Sequence, residues 1–179
     1  MREKLKNNSG YTLVEMIIVI AIIAVMSGMG ALTIASIRTS QAQASMQKFD
    51  SELSALEMRT KTLSSNETIE LVQNGANYDI YYATYDPTAK TYTRKNPGKP
   101  DATLERVVIY YSDSYDASTH MKNGAAVTDM FIRIRKSDGQ VLKGEGQYIF
   151  CKQNSPTQSV GSVTLNKYTG GHTYGKNED

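Results

Sequence analysis

Hydrophobic and polar positions divide the chain into three stretches. The first is apolar: from Met16 to Ile37 no residue carries a charge. Read as a helix, these 22 residues reach about 33 Å at 1.5 Å per residue, enough for a hydrocarbon core of about 30 Å. Arg2, Lys4 and Lys6 precede the run, offset only by Glu3. Basic residues on that flank favour a cytoplasmic N-terminus and a translocated remainder.

The second stretch, Arg38 to Leu63, is amphipathic. Ala42, Met46, Phe49, Leu53, Leu56, Thr60 and Leu63 alternate spacings of four and three, which places them on one helix face. Gln43, Lys48, Asp50, Glu52, Glu57, Arg59 and Lys61 lie between them. No proline interrupts residues 12 to 63. The pattern therefore predicts one helix of about 50 residues, roughly 75 Å long. The stripe covers barely three heptads, which points to packing on the chain's own sheet rather than to a coiled coil.

In the third stretch the helical period is lost. Ser64-Ser65-Asn66 ends the helix, Asn74-Gly75-Ala76-Asn77 reads as a turn, and Tyr78 to Tyr85 is strand-like. Pro87, Pro97, Gly98 and Pro100 mark loops, so residues 64–103 read as a connecting loop around one strand-like run. Val107–Tyr111, Met130–Arg135, Gln147–Cys151, Val160–Leu165 and Gly171–Tyr174 read as antiparallel strands. Ser137-Asp138-Gly139-Gln140 is a hairpin turn signal, and Asn166 to Gly170 joins a closing hairpin. A sheet laid across the stripe of residues 42–63 completes an α+β head.

One residue changes how the apolar run is read. Glu15 stands at its front, in Ser9-Gly10-Tyr11-Thr12-Leu13-Val14-Glu15. A carboxylate at a bilayer centre costs roughly 2.5–3.5 kcal/mol on insertion scales, so one placed here calls for a partner. Three readings compete. A secretory signal peptide has an apolar core of roughly 7–15 residues and a small-residue cleavage site, whereas this run is longer and continues into the amphipathic helix. A plain signal anchor leaves Glu15 at headgroup level beside Lys4 or Lys6. The third reading rests on the motif itself.

Gly10-Tyr11-Thr12-Leu13-Val14-Glu15, followed by the aliphatic run to Ile23, closely resembles the class III signal of type IV pilins and pseudopilins. The resemblance implies cleavage of a basic leader between Gly10 and Tyr11 by a prepilin peptidase and N-methylation of Tyr11. Tyr11 departs from the phenylalanine commonest there. It further implies that Thr12, Leu13 and Glu15 serve assembly, Glu15 pairing with the α-amine of a neighbouring subunit. Such an amine has a pKa of about 7.7–8.0 when unperturbed, and an ion pair is stronger in low dielectric than in water. Glu15 in a first helical turn is also favoured by the macrodipole, by about 0.3–1 kcal/mol, with no partner at all. Gly28 and Gly30 lie inside the apolar helix, where each glycine costs up to about 1 kcal/mol against alanine. They read equally as sites of close helix packing and, by the resemblance, as candidates for local melting within a filament.

Charge and rare residues narrow the picture. Residues 38–179 hold 17 basic and 16 acidic residues, a balance without the footprint of a nucleic-acid binder. Cys151 is the single cysteine, so no intrachain disulfide forms, and its apolar surroundings mark it as a buried hydrophobe. With His120 and His172 as the two histidines, no nucleophile–base pair, metal cluster or phosphate-binding glycine loop is readable. Asp113, Asp116 and Asp129 match no EF-hand spacing and read as a solvated acidic loop. Twelve tyrosines accompany no tryptophan. Tyr78, Tyr81, Tyr82, Tyr85 and Tyr92 read as strand packing rather than a base-stacking surface. Asn66-Glu67-Thr68 fits a glycosylation triplet of a kind frequent by chance.

The sequence thus predicts an α+β, pilin-like chain: a long N-terminal helix, half transmembrane and half amphipathic, on a small antiparallel sheet. The expected organisation is a leader (1–10), an assembly helix (11–37) and a head (38–179) with helix 38–63, variable loop 64–103 and sheet 104–176. The resemblance implies a structural subunit of a type IV pilus-like filament, not an enzyme and without cofactors or a metal. Its partners would be other pilins, the prepilin peptidase, the membrane, an inner-membrane platform and an ATPase, with nucleic acid not expected. It would be a single-pass membrane protein and then part of an extracellular or periplasmic filament. Two alternatives stay open: a pseudopilin of a type II secretion or competence DNA-uptake system, and a membrane-anchored binding domain that never polymerises.

Overall fold

The computed structural model describes residues 11–63, 66–112 and 125–176, and over 28–35 the backbone alone. The expected leader with Gly10, the helix-ending Ser64 and Ser65, and Asp113, Asp116 and His120 lie outside the described residues. The chain divides into two units, Met1–Ile37 and Arg38–Asp179.

Helix α1 runs from Leu13 to Thr62, 50 residues without a break. In the second unit the stripe is core: Ala42, Met46, Phe49, Leu53 and Leu56 are wholly buried, and Thr60 nearly so. Leu63, expected on the same face, is instead 60% exposed. It follows the last helical residue, so its side chain leaves the stripe. In the first unit every described residue from Tyr11 to Ser27 is exposed. Among the described residues no helix is long and apolar enough to cross a membrane.

Residues 64–103, expected as a loop around one strand-like run at Tyr78–Tyr85, hold that run as β2 (Asn77–Asp86) and also β1 (Glu67–Asn74), β3 (Thr91–Arg94) and the start of β4 (Ala102–Leu104). The misreading has a physical cause. Glu67 and Glu70 make β1 look polar, yet both are buried. Lys95 Nζ donates to Glu67 at 2.7 Å, and Arg94 Nη2 donates to Glu70 Oε1 at 2.8 Å. The paired cations let a charged strand occupy the middle of a sheet, where an unpaired carboxylate is costly.

There follow β5 (Val107–Ser112), β6 (Ala125–Ala126), β7 (Asp129–Ile134), β8 (Val141–Lys143), β9 (Gly146–Lys152), β10 (Ser155–Leu165) and β11 (His172–Lys176). In place of one small sheet there are two antiparallel sheets. One has six strands, ordered β3-β2-β1-β7-β8 with β4 also on β2; the other has five, ordered β11-β10-β9-β5-β6. The closing hairpin forms as expected, with Leu165 opposite His172 and Val163 opposite Tyr174.

Helix α1 packs on both sheets, by its stripe on one and by polar residues beside the stripe on the other. The Phe49 ring lies 5.0 Å from Tyr148 and 5.5 Å from Phe150, both on β9. On the other sheet, Tyr82 donates its hydroxyl proton to Glu52 Oε2 at 2.6 Å, and the Arg59 guanidinium sits 4.0 Å above the Tyr82 ring. Two links join the sheets directly. The buried Tyr78 hydroxyl donates to the Val127 carbonyl at 2.9 Å and accepts the Ile109 N–H at 3.4 Å. The turn before β8 meets the turn before β11, where Val141 N–H donates to the Lys167 carbonyl at 2.8 Å. Gly170 takes a left-handed φ of 65° there, and a β-carbon on it would collide with the Gly139 carbonyl oxygen.

Candidate functional site

The first turn of α1 is built by Thr12 and Glu15. Thr12 precedes the helix, and its carbonyl accepts the Met16 N–H at 3.2 Å. Its hydroxyl accepts the Glu15 N–H at 3.2 Å. Glu15 reaches back: Oε2 accepts the Thr12 N–H at 2.8 Å and the Thr12 hydroxyl at 3.0 Å. This is a capping box, in which Thr at the cap and Glu three residues on satisfy each other's backbone donors. Cap residues of this kind contribute typically about 1 kcal/mol to a helix. Thr12 and Glu15 were expected to contact neighbouring subunits; their pairing within one chain was missed, although Thr-x-x-Glu ahead of an apolar run is the sequence signal for it. Among the described residues, both of the hydrogen bonds that Glu15's carboxylate accepts fall on Oε2.

Tyr11 is 83% exposed and Leu13 76%. From Met16 to Met26 the apolar side chains of α1 stay about half exposed or more, a contiguous surface far larger than soluble monomers leave to water. Ser27 donates its hydroxyl to the Ile23 carbonyl at 2.7 Å and so adds no free polar group to that surface. Gly28 and Gly30 lie within α1, at positions whose side-chain surroundings are outside the described residues.

Elsewhere the structure separates the candidates. The five clustered tyrosines split between two faces of one sheet: Tyr78 and Tyr82 are buried towards α1, and Tyr81, Tyr85 and Tyr92 line the other side. There Arg94 covers Tyr81 at 4.0 Å, Arg133 covers Tyr85 at 3.8 Å and Lys143 lies 5.2 Å above Tyr92. Cys151 is buried, and burial pushes its thiol up to about 11. His172 Nε2 lies 3.2 Å from Ser54 Oγ and 3.3 Å from Asp50 Oδ1, a contact between α1 and β11 that the sequence did not suggest. Serine and acid share one ring nitrogen, whereas a nucleophile relay needs the acid on the opposite one. Among the described residues no group of three acids, histidines or cysteines could hold a metal.

Residues 5–31 match the family model described as the prokaryotic N-terminal methylation motif, so the chain carries the type IV pilin and prepilin signal. The match spans the Gly10–Tyr11 junction, the Thr12–Glu15 box and the first part of the exposed apolar run. Comparison with curated proteins and with solved structures yields no match.

Proposed function

We propose that this chain is a structural subunit of a type IV pilus-like filament, cleaved between Gly10 and Tyr11, methylated on Tyr11 and assembled through residues 11–37. The observation that carries this reading is the uninterrupted apolar surface of α1 behind the methylation motif. Lipid covers that surface before assembly, and neighbouring copies cover it afterwards. The uncharged run from Met16 to Ile37 supplies the transmembrane span, with the N-terminus cytoplasmic.

Glu15 orders the assembly. Its Oε1 accepts the Tyr11 ammonium of a neighbour while Oε2 keeps the Thr12 cap. An arriving subunit is stabilised only where an amine meets that carboxylate, because an unmatched charge among packed apolar helices is costly. Head-to-tail contacts of this kind do not close and so build an open helical filament. Melting at Gly28 and Gly30 lets α1 adjust its length as the subunit leaves the bilayer. Prepilin peptidase, a membrane platform and an ATPase follow as partners from the pilin-type signal.

The pseudopilin reading stays beside it. The single cysteine, Cys151, is buried and forms no disulfide loop, which suits a pseudopilin and equally a pilin of a Gram-positive or other lineage.

Intact mass and N-terminal sequencing of the membrane-extracted protein test the proposal. The expected chain begins at methylated Tyr11. A chain that begins at Met1 in cells expressing the peptidase overturns it.

A further inference from the structure

The structure assigns an oxyanion site to Arg38, Arg106 and Lys152, and we propose that it takes the phosphate of an anionic lipid headgroup or free phosphate. Three separate elements of the head bring these cations together. Arg38 lies on α1, Arg106 directly precedes β5, and Lys152 ends β9. With Gln153 and Asn154, the turn into β10, they line a cavity of about 50 Å³. That is room for roughly three or four waters, the size class of a single oxyanion group.

Two observations mark the cavity as more than a place where long side chains meet. The first is charge. No carboxylate lines it, and among the described residues none of the three cations is in an ion pair. Other cations of the head, Lys48 and Lys143 among them, also lack a carboxylate partner among the described residues, so what distinguishes these three is that they line one cavity together. Three cationic residues on one small cavity with no carboxylate among its lining favour an anion from outside.

The second is backbone geometry. Arg106 holds a left-handed φ of 51°, sparsely populated by residues other than glycine, asparagine and aspartate. Its N–H donates to Asn77 Oδ1 at 3.0 Å, which pins that conformation. Strain of this kind concentrates where a side chain must be aimed, ligand clamps included. Two guanidiniums offer forked donors and the ammonium a point charge, the set that suits phosphate oxygens.

The position of Arg38 points to the source. It is the first charged residue after the uncharged run of residues 16–37, so the lipid source rests on the membrane insertion proposed above. A residue there emerges on the translocated face at the level of the headgroups, where a guanidinium can fork onto a lipid phosphate.

The test titrates full-length protein in neutral detergent with short-chain phosphatidylglycerol and, separately, with inorganic phosphate. Saturable binding of at least one is expected. Arg38→Gln/Arg106→Gln/Lys152→Gln should weaken it at least tenfold, and Lys152→Gln alone, which leaves the helix and the strained residue intact, about threefold. Lipid bound at least tenfold more tightly than phosphate identifies the headgroup as the source; equal affinities identify free phosphate. No saturable binding of either probe, or an unchanged Kd in the variants, overturns the site. Intact mass on the same preparation reports processing at Tyr11 separately, so failure of the filament reading and failure of the site are distinguishable.

Discussion

The rings of Tyr92 and Phe131 stack with centroids 3.9 Å apart and planes 16° from parallel, although β2 and β1 separate their strands. The two side chains lie flat over the sheet and meet above its middle. Thr68 and Ala83, small residues on β1 and β2 beneath them, are wholly buried as a result. Tyr85 joins the layer 4.9 Å from Tyr92, and Lys143 lies 5.0 Å above Phe131. A sheet face with the alternation of a solvated surface thus carries a second apolar layer, roofed by cations.

Phe131→Ala is expected to lower the unfolding free energy by about 2–3 kcal/mol, below the usual range for a fully buried phenylalanine because this ring is half-buried. A double-mutant cycle with Tyr92→Ala should give a coupling of about 0.5–1.5 kcal/mol, the contribution of an aromatic pair beyond area. Denaturant melts of the full chain supply the numbers. Strictly additive losses would show that the two rings stack without stabilising one another.

Gly170→Ala should cost more than about 1 kcal/mol, since it adds a steric collision to a left-handed backbone. Gly75 provides the comparison. Its φ is 60°, yet a β-carbon there meets nothing within 4 Å, so Gly75→Ala should cost only the backbone term of about 1 kcal/mol. Equal melting temperatures for the two variants would remove the contact between turns as a stabilising element.

Cys151 gives a dependence on alkaline pH. Its thiol titrates at about 11 in the folded chain against 9.0 for the ordinary value. The unfolded chain therefore loses the proton first. Stability from this group is fully present below pH about 9 and is lost as pH rises to about 11. The full loss is about 2–3 kcal/mol, at 1.36 kcal/mol per pKa unit. Tyr78 and Tyr148, pushed up by burial, act in the same direction at higher pH. Cys151→Ala should flatten the alkaline decline between pH 9 and 11. Thiol labelling at pH 8 should require unfolding; rapid labelling of the native protein would contradict the buried thiol.

Glu15 has two roles that substitutions can separate. Glu15→Gln keeps an amide oxygen that can cap Thr12 but removes the charge; Glu15→Ala removes both. Both variants should stay in the membrane and fail to appear in sheared surface fibres. A helix peptide of residues 11–27 in detergent should lose helicity with Glu15→Ala and Thr12→Ala, by about 1 kcal/mol each, and little with Glu15→Gln. Normal fibres from Glu15→Gln would mean that the capping box, not the charge, is what assembly needs.

Much of this protein was legible in one dimension, because local rules decided it. The period of α1, the absence of proline and the spacing from Ala42 to Thr60 specify a long helix with one buried stripe whatever it packs on. The motif around Glu15 was readable because it is contiguous. The turns at Ser137–Gln140 and Asn166–Gly170 were marked by residues that favour turns. What the tertiary structure decided are relationships between residues far apart in the chain. β1 is a central strand because Lys95 and Arg94 neutralise Glu67 and Glu70 from more than twenty residues away. One expected sheet became two because α1 meets Phe150 through Phe49 of its stripe and Tyr82 through Glu52 and Arg59 beside it. The convergence of Arg38, Arg106 and Lys152 is visible only in three dimensions, since no local pattern brings three cations of such separation to one cavity.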